Sequence, residues 1–232
     1  MQLSERLQMN VSLVPEGARV ADIGCDHGYA AIWLVEQGIC ERVIAMDVNA
    51  SPLMRAREHV RKAGLETKIS CRLSDGVAQL VPGEADTLML AGMGGPLMVR
   101  ILDGGGAVLE KITTLVLQPQ SEISCVRSYL LTHGFVPELE KACMDGGKYY
   151  FAMRAVRCNG DELPIWTEEW QYWFGTYLVQ KKDPVLRQYL IRERHKYKEI
   201  LVRHGSSMTE SEKRTELAHR INMIEKCLAC MQ

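Results

Sequence analysis

The chain has 232 residues, a formal net charge of −1 and 47% apolar residues, enough for one generous domain or a domain with a small appendage. That balance excludes the disordered and fibrous classes, and no apolar run approaches the ~20 residues needed to span a bilayer. The start, Met1-Gln-Leu-Ser-Glu-Arg6, lacks a basic-then-apolar leader, so a cytoplasmic protein without a membrane partner is expected. Eight cysteines are scattered along the chain. The one tight pair, Cys227-x-x-Cys230, has neither a second pair for a metal nor a strand-to-helix setting for redox chemistry. Free thiols and no metal site are expected.

From residue 19 to about 157, short β-rich runs alternate with helix-length amphipathic stretches. Strands are expected at 19–23, 42–47, 68–73, 86–91, 114–118, 135–139 and 149–156, with helices such as 30–37 and 52–63 between them. Strand alternating with helix at this spacing means βαβ units and a mainly parallel, doubly wound sheet. Only Asp145-Gly-Gly-Lys148 separates the last two runs, too short for a helix. They close a hairpin, so one late strand runs antiparallel to its neighbour. After Asn159-Gly-Asp161 the strand signals vanish. Helical patterns follow at 167–181, 184–204 and 209–231, broken by Lys181-Lys-Asp-Pro184 and Gly205-Ser-Ser207. The expected division is a sheet domain over 1–160 and a helical, coiled-coil-like appendage over 161–232. Trp166, Trp170 and Trp173 fall near helical spacing and are expected to pack that appendage onto the sheet domain. Nothing in the pattern fixes an oligomeric state.

The strongest motif is Val20-Ala-Asp-Ile-Gly-Cys-Asp-His-Gly-Tyr29, an acid and glycines at the carboxyl end of the first strand, just before a helix. Open α/β sheets bind ligands there. Gly24 lets the backbone turn and approach a ligand, and the next helix start offers free N–H groups. A dinucleotide fingerprint needs Gly-x-Gly-x-x-Gly, whereas this loop has Gly24-x-x-x-Gly28 with Asp26 inside it. A carboxylate repels a pyrophosphate but attracts the sulfonium or ammonium of S-adenosyl-L-methionine. Asp47 ends the second strand, where an acid accepts ribose hydroxyls, and Asp75 ends the third, within reach of an adenine amino group. Any one of these acids alone reads as a turn or cap residue; three at successive strand ends point to a cofactor. The expected cofactor-binding set is Asp22, Gly24, Asp26, His27, Gly28, Asp47, Val48, Asp75, Gly76, Ala91 and Gly92.

The fourth strand ends in Leu90-Ala-Gly-Met-Gly-Gly-Pro96. Methyltransferases acting on adenine N6 commonly carry an acid or amide followed by Pro-Pro-aromatic here, to accept hydrogen bonds from the amine. This run has only glycines and Met93, which suits a nucleophile with a lone pair already available, such as a ring nitrogen. Together with Leu3-Ser-Glu-Arg-Leu7, Val11-Ser-Leu-Val-Pro15, Asp22-Ile-Gly-Cys-Asp-His-Gly-Tyr29, Leu117-Gln-Pro119 and the helical C-terminus, the chain resembles the bacterial tRNA (adenine(22)-N1)-methyltransferases, the TrmK family. The resemblance covers essentially the whole chain. It implies a class I, Rossmann-like methyltransferase with a seven-stranded sheet, S-adenosyl-L-methionine as cofactor, and methylation of adenosine N1 in tRNA, at position 22. Two positions depart from the pattern: Gln120, where Asn follows Gln-Pro, and Gly28, where alanine is common and the exchange is expected to be harmless. Adenine N1 is neutral at pH 7 and attacks without losing a proton first, so positioning and electrostatics suffice. The candidate catalytic residues are Asp26, Tyr29, Gly92, Met93 and Gly94, with Asp26 facing the positive charge and Tyr29 either stacking on a ring or filling the core at the helix start. His27 reads as an exposed loop residue, able to touch phosphate or base.

Between residues 181 and 203, eight basic residues face only Asp183, Glu193 and Glu199. Arg187, Arg192, Arg194, Lys196 and Lys198, with Tyr189 and Tyr197 interleaved, are the expected tRNA phosphate contacts. A solvated face over an apolar stripe of Leu186, Leu190, Ile200 and Leu201 explains the same run equally well. Two other functions fit the chain as a whole. One is a small-molecule methyltransferase with a helical lid, the other a non-catalytic RNA-binding relative.

Overall fold

The computed structural model describes residues 2–158, 163–203 and 211–232. The chain divides into two compact units, Met1–Pro164 and Ile165–Gln232. The breaks expected at Asn159-Gly-Asp161 and Gly205-Ser-Ser207, and the helix ends expected at His204 and Thr209, lie outside the described residues.

In the first unit the order is α1 (Glu5–Val11), β1 (Val20–Ile23), α2 (Tyr29–Glu36), β2 (Val43–Asp47), α3 (Ala50–Lys62), β3 (Ile69–Leu73), β4 (Thr87–Gly94), α4 (Gly95–Asp103), α5 (Gly106–Glu110), β5 (Thr114–Ser121), α6 (Ile123–Thr132), β6 (Phe135–Asp145) and β7 (Lys148–Arg157). The strands form one seven-stranded sheet in the order β3-β2-β1-β4-β5-β7-β6. β7 runs antiparallel to β5 and β6, and the pairs from β3 to β5 are parallel. Alternate residues of the same strands sort into two cores, as a period of two requires. Val20, Met89 and Val116 pack under α1, α2 and α3. Ala21, Leu88, Leu90, Leu115 and Leu117 pack under α4, α5 and α6. Both faces are therefore covered, and the central strands β1, β4 and β5 are mostly apolar, with Asp22 of β1 a buried exception.

Strands β4, β5 and β6 outrun their expected limits by three or more residues, and β7 by one at each end. β4 continues past Ala91 to Gly94 through register shifts on either side of Met93, because β5 supplies partners as far as Ser121. β6 extends to Asp145 because β7 pairs with it along its length. α1 is a helix not among those expected. The Ser4 hydroxyl caps it, accepting from the Leu7 N–H at 3.3 Å. Asp145 accepts from the Arg6 backbone N–H at 3.2 Å and Lys141 Nζ donates to the Ser12 hydroxyl at 2.7 Å, tying α1 to β6.

The second unit comprises α7 (Glu169–Phe174), α8 (Thr176–Gln180), α9 (Pro184–Arg203) and α10 (Ser211–Cys230). The single helix expected over 167–181 is two, because Gly175 takes φ 77°, ψ 153°, a conformation open to glycine alone. Asp183 Oδ1 accepts from the N–H groups of Val185 at 2.9 Å and Leu186 at 2.8 Å, so the Asp-Pro pair is a cap and first helical residue. Leu186 and Leu190 of α9 and Ile221, Ile224 and Cys227 of α10 are buried. The Arg220 guanidinium lies over the rings of Trp173 at 5.2 Å and Tyr197 at 5.9 Å. All eight cysteines are free thiols. Among the described residues, no helix is long and apolar enough to cross a membrane, and no group of three or more His, Cys, Asp or Glu side chains could hold a metal ion.

Candidate active site

β1 has parallel neighbours on both sides, β2 and β4, so its carboxyl end is where the strand order reverses. The loop that leaves it is wound tightly. Gly24 and Cys25 both donate backbone N–H groups to the Met46 carbonyl, at 2.8 and 2.9 Å, and Gly28 N–H donates to the Cys25 carbonyl at 2.8 Å. Gly24, Asp26 and Gly28 all have left-handed φ, of 76°, 48° and 73°. Glycine does this freely; for Asp26 it is a strained conformation, of the kind that collects at functional sites. A Cβ on Gly24 would stand 2.3 Å from Met93 Cε, so the glycine also makes room for the β4 end. A Cβ on Gly28 would stand 3.1 Å from Ala56 Cβ, so glycine here leaves room for the start of α2 against α3.

Asp47, nearly buried at the end of β2, holds this loop. Its Oδ2 accepts from the Asp26 N–H at 3.2 Å and its Oδ1 from the Asn49 N–H at 2.8 Å. Asp22 is 4% exposed and its Oδ2 has no hydrogen-bond partner among the described residues. Burial first, and the nearby Asp47 charge second, push its carboxyl up from 3.8 to about 7. The Asp26 side chain is two-thirds exposed, with Oδ1 3.6 Å from His27 Nε2. His27 is half-buried, not exposed, and its ring is parallel to Tyr29 at 5.4 Å. Tyr29 in turn stacks on His59 at 4.9 Å and is 36% exposed, so it sits at a rim and does not fill the core.

These residues line one cavity of about 490 Å³, within the size range of sites for cofactor-sized ligands. It brings together Asp22, Gly24, Asp26, His27, Tyr29, Asp47, Ala91, Gly92 and Met93. Gly28, Val48, Asp75, Gly76 and Gly94 do not line it. Gly28 is the first cap of α2. Val48 is exposed beyond β2, and Asp75 and Gly76 follow β3, whose end is tied to β2 by the Ser74 N–H donating to the Asp47 carbonyl at 2.9 Å. A second cavity, of about 550 Å³, lies at the opposite, amino ends of β1 to β3. Two of its three arginines are already tied to acids, Arg19 to Asp86 and Arg72 to Glu84. The carboxyl-end cavity is the candidate site, because ligands bind at that end of such sheets and because its buried polar atoms are unsatisfied.

The motif reading missed one wall of the cavity. Arg6, Leu7 and Asn10 come from α1, Asn49 and Pro52 from the start of α3, and Gln120 from β5. The reacting end is therefore not glycines and Met93 alone. A Cβ on Gly92 would meet Arg6 Nη1 at 3.2 Å and Gln120 Nε2 at 3.7 Å. The available signal was the Ser4 cap followed by Arg6 and Asn10, four residues and so one helical turn apart.

The five basic residues expected to contact tRNA all lie on α9, but not on one face. At ~100° per residue, Arg187, Arg194 and Lys198 project to one side and Arg192 and Lys196 to the other. Lys198 Nζ is 2.7 Å from Glu225 of α10, and Lys196 Nζ is 3.5 Å from Glu193.

A seven-stranded sheet in this order, with an antiparallel strand inserted next to the edge and a glycine–acid loop at its switch point, defines a class I, Rossmann-like methyltransferase. A family model described as a methyltransferase domain matches residues 3–153. The tRNA (adenine(22)-N(1))-methyltransferase of Bacillus subtilis is 34% identical over 161 residues, 69% of this chain and 68% of that one. A candidate tRNA (m1A22) methyltransferase of Streptococcus pneumoniae, solved in complex with S-adenosyl-L-methionine, superposes with a TM-score of 0.86 at 31% identity, over 98% of this chain and 100% of that one. TrmK of M. capricolum, solved with S-adenosyl-homocysteine, gives a TM-score of 0.86 at 25% identity, over the whole of both chains. The chain belongs to the tRNA (adenine(22)-N(1))-methyltransferase family.

Proposed function

We propose that this protein transfers the methyl group of S-adenosyl-L-methionine to N1 of an adenosine in tRNA, at position 22. The observation that carries the reading is likeness over nearly the whole chain to solved structures whose names give this reaction, together with a curated relative named for it that matches 69% of the chain. The acid-rich cavity supports the cofactor, since buried Asp22 has an oxygen without a partner and Asp26 and Asp47 stand beside it. When bound, S-adenosyl-L-methionine supplies a methyl group on a positively charged sulfur, open to attack by a lone pair.

The residues of this chain have distinct tasks in that reading. Asp47 accepts the ribose hydroxyls while its other contacts hold the loop. Asp75 and Gly76 serve the adenine end from the neighbouring strand. Asp26 faces the positive charge as it passes from sulfur to base, and its left-handed backbone keeps the carboxylate at the rim. Gly92, Met93 and Gly94 allow the target base to approach the backbone closely, with Tyr29 at the mouth. No side chain has to remove a proton from N1 before attack. Residues 1–160 are the catalytic domain and 161–232 the tRNA-binding appendage, with the basic residues of α9 on phosphates. With tRNA as substrate, the cytoplasm is the proposed compartment.

The test is mass mapping of methylated nucleosides in tRNA treated with the purified protein and S-adenosyl-L-methionine. Protein-dependent N1-methyladenosine at position 22 is expected. Methyl transfer to small molecules alone, or cofactor binding with no turnover on tRNA, would overturn the proposal.

A further inference from the structure

Three rings meet at the mouth of the cavity, and one of them belongs to no strand-end loop. His59 stands on α3, where Pro52, Ala56 and His59 fall at i, i+4 and i+7 along one stripe. Pro52 lines the cavity and Ala56 lies against Gly28. His59 comes next, against the residues on either side of that glycine. Its Nδ1 is 2.9 Å from the His27 carbonyl oxygen, and its ring stacks on Tyr29 with centroids 4.9 Å and planes 17° apart. A carbonyl only accepts, so Nδ1 carries the proton and donates it. The His27 ring completes the group, 5.4 Å from Tyr29 and 5.8 Å from His59. His59 is half-buried and does not itself line the cavity.

The consequence falls on Tyr29. This residue opens α2 at the cavity wall and is 36% exposed. An exposed side chain exchanges rotamers within nanoseconds. Stacked on a ring that is itself pinned to the backbone, Tyr29 cannot turn without breaking that stack. An unpaired RNA base is bound by stacking on an aromatic face. Its N1 must then lie in line with the methyl group, where a displacement of ~1 Å costs about a hundredfold in rate. We propose that His59 is a positioning residue for methyl transfer: anchored to the His27 carbonyl, it holds the Tyr29 ring as a fixed platform for the target adenine. The inference rests on the proposed function and adds to it a residue of α3, outside the strand-end motifs.

The rival use of His59 is to brace the cofactor loop, since its hydrogen bond ends between Asp26 and Gly28. A brace needs the donor and not the ring. The near-parallel planes of His59 and Tyr29 favour the platform, and the test separates the two.

Methyl transfer to tRNA by the full chain is measured at saturating S-adenosyl-L-methionine, with calorimetry of S-adenosyl-homocysteine binding as the second readout. His59→Leu is expected to lower kcat about tenfold. KM for tRNA should stay within about twofold, because phosphate contacts carry most of the affinity. S-adenosyl-homocysteine affinity should also stay within about twofold, which reports a folded variant with its loop intact. His59→Phe, with the ring but no donor, should recover part of kcat, and His59→Asn, with the donor but no ring, should recover less. In a Tyr29→Leu background, His59→Leu should cost less than about twofold more, because the two residues act as one unit. Additive losses in that cycle would overturn the proposal, as would unchanged kcat in His59→Leu or a Phe variant no better than the Leu one. Cofactor affinity falling in parallel with kcat would make His59 a brace of the loop and overturn it too. A wild type that binds S-adenosyl-homocysteine yet methylates no tRNA would overturn the functional reading, and this one with it.

Discussion

Replacing Asp22 with Asn tests the electrostatics of the cavity through pH. The carboxyl is buried on β1 with one oxygen unpartnered, and burial together with Asp47 raises it from 3.8 to about 7. A shift of that size corresponds to about 4 kcal/mol, at ~1.36 kcal/mol per unit. The sign follows from proton counting. Between pH ~4 and ~7 the native protein holds a proton that the unfolded chain has released, so stability is greatest below this window and falls as pH rises through it. Asp22→Asn removes this component. It should flatten the stability profile between pH 5 and 8 and leave the variant the more stable form at pH 8. A cationic ligand reverses the preference, because it favours the ionised carboxylate. Affinity of the wild type for S-adenosyl-L-methionine should then climb about tenfold per unit up to pH ~7 and level off, with a proton released on binding below that point. Urea denaturation at four pH values reads the first effect. Calorimetry in two buffers of different ionisation enthalpy reads the second. Equal stability profiles for variant and wild type, together with binding that releases no proton, would refute the reasoning.

Asp47→Ala should weaken cofactor binding by about 1–3 kcal/mol, through lost charge-assisted bonds to ribose and a loosened loop; unchanged affinity by calorimetry in a folded variant would remove that role. Asp26→Asn should lower turnover far more than stability, and Asp26→Gly should gain roughly 1 kcal/mol of stability by relieving a left-handed non-glycine residue while still losing turnover. Wild-type turnover of either variant at saturating cofactor and tRNA would dismiss Asp26 from the mechanism. Arg192→Glu with Lys196→Glu, neighbours on one side of α9, should weaken tRNA binding and flatten the log–log salt slope by roughly 0.7–0.9 for each phosphate no longer neutralised. An unaltered slope would mean that this side of α9 is only solvated, and that the RNA docks elsewhere.

Features written into short segments were legible before any coordinates. The turns after the first three strands each carry a local signal, a β-rich run ending at an acid, so the loop from Asp22 to Gly28 and the acids Asp47 and Asp75 could be found one strand at a time. The hairpin was equally local, since Asp145-Gly-Gly-Lys148 leaves room for nothing else. β1, β2 and β3 begin one residue inside their expected limits and end on them. The long range decided the rest. β4 runs on through glycines because hydrogen bonds from β5 hold it, whatever its own propensity. Gly175 splits a helix that periodicity alone joined, since its positive φ depends on how the flanking turns pack. The charge excess of α9 is visible in sequence, but that Lys198 meets Glu225 follows only from the pairing of α9 with α10. Above all, the wall of Arg6 and Asn10 opposite Gly92 and Gln120 is made by elements far apart in the chain. Hydrogen-bonded turns are set by neighbours in sequence, whereas the partners of a side chain in a cavity are set by which elements pack together, and that is decided only when the whole core is buried.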